Sequence, residues 1–144
     1  MSKTEDATRH MLDTNVLVHI VNRRGNWRKT FKRIDLEKSN IYLSSVAYFE
    51  LTNMILAARA GKEKSSELAE LVGALRVEPF NRRAAESASN LLVHLDKIGK
   101  PIGQRDAMIA GHAKQLGCIV VTGNQSEFNR IYGLKTANWI GEED

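Results

Sequence analysis

The stretch QRDAMIAGHAKQLGCIVVT, residues 104–122, decides the fold. Ile109, His112, Ala113 and Leu116 recur at helical spacing, and Gly117 is placed to stop the helix. Cys118–Val121 then runs apolar without a break. A strand lacking polar alternation is buried on both faces, as in a parallel sheet covered by helices. Thr122 stands where this strand meets its loop, the edge of such a sheet at which ligands gather.

The same alternation recurs on either side of this stretch. Leu134–Ala137 reads as a weaker strand. Upstream, Ala84, Ala88, Leu91, Leu92, Leu95 and Ile98 predict a long amphipathic helix closing at Gly99. Arg76–Phe80 reads as a strand that Pro79 confines to an edge or an end. Lys62–Leu75 is helical, with Leu68, Leu71, Val72 and Leu75 on one face. Val46–Ala60 is a further helix, with Ser44 or Ser45 as N-cap and Gly61 as its stop. Ile41–Leu43 is a short strand. His10–Leu12 is another, ending near Asp13 before a short helix, although the apolar run from Val16 to Val21 suits a strand equally. Strands alternating with helices predict an α/β chain with a parallel sheet and helices on both faces.

At 144 residues the chain suits one domain, burying roughly 70% of its unfolded surface. We place that domain at 10–140, after a flexible arm at 1–9 and before an acidic tail, GEED, at 141–144. The charged opening MSKTEDATRH is unlike a signal peptide core, and no apolar stretch is long enough to span a bilayer, so a cytoplasmic address is expected. Cys118, the single cysteine, leaves no intrachain disulfide and no cysteine zinc cluster. Its apolar run makes it a core residue, and Trp139 is read as packing near the C-terminus.

Four polar positions framed by apolar residues carry the chemistry: Asp13, Glu50, Asp106 and Asn124. Three are carboxylates, which repel one another if the fold gathers them, unless a cation or protons compensate. That points to a divalent metal and to phosphate-ester cleavage. Each also has a plainer explanation. Asp13 suits a helix cap, Asp106 a first-turn acid with Gln104 and Arg105, Asn124 a turn, and Glu50 an outward-facing residue near Arg59 or Lys62. His112, on an apolar face, reads as a packed or hydrogen-bonded histidine rather than a ligand.

Net charge is +4, and setting aside three metal-bound carboxylates leaves the remainder more basic still. Within VNRRGNWRKTFKRI, residues 21–34, six cations (Arg23, Arg24, Arg28, Lys29, Lys32, Arg33) surround Trp27 and Phe31 with no acid among them. Cations interleaved with aromatics suit RNA, whose phosphates pair and whose bases stack. An amphipathic helix with Trp27, Phe31 and Ile34 inward and cations outward satisfies both interpretations. Arg105 joins the six as a candidate RNA contact.

Four segments together resemble a PIN-domain ribonuclease of the VapC toxin type: MLDTNVLVHI, SSVAYFEL, GKPIGQRDAMIAGHAKQLG and VVTGNQSEFNRI. Their order and spacing match the family, with 37 residues from Asp13 to Glu50 and 56 from Glu50 to Asp106. The resemblance covers about Met11 to Trp139. It implies a three-layer α/β/α sandwich around a parallel sheet of four to five strands, and an acidic pocket for Mg²⁺ or Mn²⁺. Asp13, Glu50 and Asp106 fall on the family's acidic positions. The fourth falls on Asn124, a departure that weakens the case for a second ion and leaves open whether Asn124 or nearby Glu127 helps through water. The resemblance further implies an RNA substrate, often a tRNA, a homodimer or larger toxin–antitoxin assembly, and a cognate VapB-type antitoxin.

On this basis Asp13 and Asp106 are expected as direct ligands, and Glu50 as a ligand or proton acceptor. Asn15, Ser44, Thr122 and Asn124 are expected to orient ligands or phosphate. Two other classes compete. An aspartate-nucleophile phosphohydrolase would use Asp13 but normally wants a carboxylate where Asn15 stands. A non-catalytic basic nucleic-acid-binding module would leave Glu50 unexplained.

Overall fold

The computed structural model describes residues 8–58 and 61–141. Most of the expected arm and tail therefore lies outside the described residues, as does Arg59. Five short strands are β1 (His10–Leu12), β2 (Ile41–Ser44), β3 (Arg76–Glu78), β4 (Ile119–Val121) and β5 (Thr136–Ala137). They form one wholly parallel sheet in the order β3-β2-β1-β4-β5. The helices are α1 (Thr14–Val21), α2 (Trp27–Glu37), α3 (Ser45–Ala57), α4 (Lys62–Gly73), α5 (Arg82–Lys97), α6 (Gln104–Leu116) and α7 (Gln125–Phe128). A parallel strand must be reached by a crossover, and these helices supply the crossovers.

The pleat divides the core in two. Met11, Tyr42 and Val120 face one way, into a cluster with Leu91, Leu95, Ile109 and Phe128 from α5, α6 and α7. Their neighbours Leu12, Leu43 and Val121 face the other way, into a cluster with Val16, Leu17, Leu51, Leu68 and Val72 from α1, α3 and α4. Side chains alternate across a strand, so each strand feeds both cores, and the three layers follow. Pro79 ends β3, which lies at the sheet edge as expected. Cys118 and Trp139 are buried, and burial pushes the Cys118 thiol up to about 11.

The structure corrects two local expectations. Helix α3 ends before Gly61, because Ala58 itself adopts the left-handed cap conformation at φ 50°, and Gly61 instead precedes α4 at φ 94°. In α2 the buried residues are Thr30 and Ile34, with Trp27 half-buried and Phe31 43% exposed. Thr30 takes the inward place because its hydroxyl donates to the Trp139 carbonyl at 2.8 Å, so a satisfied polar residue occupies the site that spacing gives to Phe31.

Helices α5 and α6 approach closely at Ala88 and Gly111, and a missing side chain permits it. A Cβ on Gly111 would lie 2.5 Å from the Ala88 Cα, which no backbone tolerates without moving. We predict that Gly111→Ala destabilises the protein by about 2–3 kcal/mol through overpacking, measured by urea unfolding. Gly73→Ala, with open space around it, should be neutral or slightly stabilising.

Two buried histidines add a pH dependence. Desolvation lowers the pKa of His10, only partly opposed by Glu37, and likewise that of His112. Both are thus neutral in the fold near neutral pH, while the unfolded chain takes up protons first as pH falls through about 6.5. Stability should be level above that pH and decline below it. Thermal melts from pH 8 to 5.5 check this, and His112→Gln should flatten the decline.

Candidate active site

The strand order reverses direction at β1: one crossover leads to β2 on one side, and the chain returns to β4 on the other. The crevice beyond the carboxyl ends of two such strands is where open parallel sheets bind ligands. Asp13 follows β1 there, and Thr122 follows β4. The Asp13 amide donates to the Val121 carbonyl at 2.8 Å, which joins the two strand ends. Asp13 is 2% exposed. Its Oδ1 accepts from the Thr14 amide at 2.9 Å as the cap of α1, and its Oδ2 accepts from the Thr122 hydroxyl at 2.8 Å. The plain expectation for Asp13, a helix cap, therefore holds, and the cap stands at the crevice itself.

Glu50 arrives from the second turn of α3, and Asp106 from the first turn of α6. The apolar sequence around Glu50 does not bury it, since Tyr48 and Phe49 are exposed and Glu50 is half-buried. It is paired all the same. The Arg105 Nε donates to both Glu50 oxygens at 2.9 and 3.1 Å, and Nη2 to Glu50 Oε1 at 2.8 Å. Arg105 Nη1 donates to Asp106 Oδ1 at 2.9 Å, and Nη2 also to Asp13 Oδ1 and, at 3.0 Å, to the Thr14 hydroxyl. One guanidinium thus binds all three predicted carboxylates.

Sequence reasoning places Arg105 on RNA; the structure turns it inward among the acids. Burial alone would disfavour its charge, but hydrogen bonds to Glu50 and Asp13 outweigh that and hold it more firmly protonated than a free arginine. Glu127, from α7, lies near enough to Asp106 to affect its charge. Burial raises the Asp106 pKa, Asp13 and Glu127 add to the rise, and Arg105 opposes it. The sequence marks Glu127 only as a neighbour, because nothing in a four-residue helix announces which way it faces.

The other expected residues take supporting places. Asn15 Oδ1 accepts from the Gly123 amide at 3.4 Å. The Asn124 amide donates to Thr122 Oγ1 at 3.0 Å, and its exposed side chain lies at the start of α7. Ser44 caps α3, accepting from the Val46 amide, and its hydroxyl lies 2.8 Å from His112 Nδ1. His112 is therefore a buried brace between the two helices that carry Glu50 and Asp106.

Oxygen donors of this kind suit Mg²⁺ or Mn²⁺. Four carboxylates against a single guanidinium leave an excess of negative charge that a divalent cation would offset. Among the described residues, no three acids close on one point at ligand spacing, since Arg105 stands between them. The donor chemistry fits the ion, with Arg105 standing among the donors.

The basic patch begins at the far end of α1, about 12 Å of helix from Asp13. Trp27 is flanked by Arg23 at 4.4 Å and Arg28 at 4.8 Å, and Arg33 lies 4.2 Å over Trp139. Arg23 also pairs with Glu67 at 2.7 Å and Arg33 with Glu37 at 3.3 Å. Arg24, Lys29 and Lys32 are exposed.

A family profile described as the PIN domain matches residues 10–134. The chain is 32% identical over 130 residues to the tRNA(fMet)-specific endonuclease VapC of Shigella flexneri, which covers 90% of this chain and 96% of that protein. It is 28% identical to the ribonuclease VapC2 of Haemophilus influenzae, with coverages of 92% and 98%. Among solved structures, VapBC2 from Rickettsia felis bound to a promoter DNA fragment matches with a TM-score of 0.80 at 27% identity, covering 92% of this chain and 99% of that one. DNA-bound VapBC from Salmonella typhimurium matches with a TM-score of 0.79 at 32% identity, with coverages of 92% and 98%.

Proposed function

This chain belongs to the PIN-domain family as a VapC-type ribonuclease toxin of a toxin–antitoxin system, and we propose that it hydrolyses RNA, a tRNA in particular, with Mg²⁺ or Mn²⁺ held by Asp13, Glu50 and Asp106. The observation that carries this is the convergence of those acids, with Glu127 behind them, on one cationic group in the crevice between β1 and β4.

When bound, the metal ion supplies positive charge beside the scissile phosphate and acidifies a water near it. The protein's own part is positioning. Thr14 and Thr122 fix both oxygens of Asp13, the deepest of the acids. Asp106 is set by the first turn of α6, whose amide dipoles favour its charge. Glu50, at the more open side of the pocket, is placed to take the proton of the attacking water. Asn15 and Asn124 flank the crevice through the Gly123 turn and orient the phosphate.

Two features weigh against the competing classes. An Asp13 nucleophile would normally want a second carboxylate two residues on, and Asn15 stands there. A binding module without chemistry has no use for gathering three carboxylates on one cation. The exposed cations of α2, with Arg23 and Arg28 about Trp27, support RNA contact away from the pocket. Phe49 and Leu56, 69% and 85% exposed on α3, support a face covered by protein, in keeping with a VapB-type antitoxin and a homodimer. Among the described residues no helix is long and apolar enough to cross a membrane, and we place the protein in the cytoplasm.

Incubating purified protein with total RNA, with and without Mg²⁺ or Mn²⁺, tests this directly. Asp13→Asn should keep the fold and lose more activity than the roughly 10- to 100-fold that changing a supporting residue costs. Undiminished cleavage by that variant, or in excess EDTA, would refute the metal mechanism. Separately, Arg24→Gln with Lys32→Gln should weaken RNA binding in EDTA, and flatten its dependence on log salt by about 0.7 for each phosphate no longer neutralised. An unchanged slope would remove these two residues from the RNA interface.

A further inference from the structure

We propose that Arg105 is a built-in gate on metal loading: its guanidinium and the divalent cation compete for the same carboxylate oxygens. This rests on the metal reading of the site given above. All three guanidinium nitrogens are engaged, Nε on both oxygens of Glu50, Nη1 on Asp106 Oδ1, and Nη2 on Asp13 and Thr14. Asp13, Glu50 and Asp106 each give Arg105 an oxygen that a metal ion would need. Guanidinium and ion do not share these oxygens, because two cations at such separations repel.

The arrangement is held by the three acids and the Thr14 hydroxyl. Arg105 lies in the first turn of α6, where the helix dipole disfavours a cation. Its side chain is 31% exposed, and Glu50 beside it is 33% exposed, so the pocket has an open side toward which the long side chain can withdraw. Once it leaves, Asp13, Asp106, Glu50 and Glu127 face one another without a counter-charge, and entry of a divalent ion relieves that. The protein therefore exchanges one cation for another rather than filling a preformed cage. Its apparent metal affinity is reduced by the fraction of molecules in which Arg105 is withdrawn.

The experiment is calorimetric titration of Mn²⁺ into the full chain and into Arg105→Gln and Arg105→Lys, with thermal melts of each in EDTA and in Mn²⁺. If Arg105 is withdrawn in a tenth or fewer of the molecules, Arg105→Gln should bind Mn²⁺ about tenfold or more tightly than the unaltered chain. In EDTA it should melt lower, and Mn²⁺ should raise its Tm by more than it raises that of the unaltered chain. Arg105→Lys, a point charge without the fork, should fall between them, and it carries the comparison if the glutamine variant fails to fold. Equal or weaker Mn²⁺ binding by the variants overturns the gate and leaves the metal reading standing. Absence of Mn²⁺ binding in all three proteins overturns both.

Discussion

Like charges gathered at one edge of a sheet must be compensated, and in this protein a single guanidinium does it. At an effective dielectric near 20, two unit charges about 4 Å apart interact by about 4 kcal/mol. Three carboxylates on one arginine, with a fourth close behind, therefore set a constraint comparable to much of a small domain's net stability. The rest of the structure accommodates it. Asp13 is fixed by a cap and a hydroxyl, Asp106 by a helix start, and Glu50 by the second turn of a helix whose own N-cap touches the His112 brace.

Much of this is legible in the sequence because two strong patterns agree. Unbroken apolar runs such as Cys118–Val121 fit strands buried on both faces, and the helices between them show their inner stripes plainly. Asp13, Asp106 and Thr122 can be placed because their positions relative to strand and helix ends follow from where those runs stop. Ser44 is a legible cap for the same reason.

What escapes depends on contacts between distant residues. Phe31 has the spacing of a core residue, but the Trp139 carbonyl, 109 residues from Thr30, gives the hydroxyl a buried partner and turns the helix accordingly. The end of α3 is misread because Ala58 accepts a conformation usually left to glycine. Arg105 reads as an RNA contact because a first-turn arginine has no visible reason to point inward. The direction of a long side chain is set by charges on other elements, here those of Asp13 beyond β1 and Glu50 on α3, and no local signal encodes it. Glu127 escapes similarly, on a helix of four residues.

The division of the core into two clusters gives the site a mechanical meaning. Glu50 belongs to the layer of α3, whereas Arg105, Asp106 and Glu127 belong to that of α6 and α7, with Asp13 at the end of the strand between. The ionic cluster thus fastens the two helical layers across the open edge of the sheet, where strands only two to four residues long provide little resistance to shear. The same charges that gather at the site are thus also a tie between the two layers of helices.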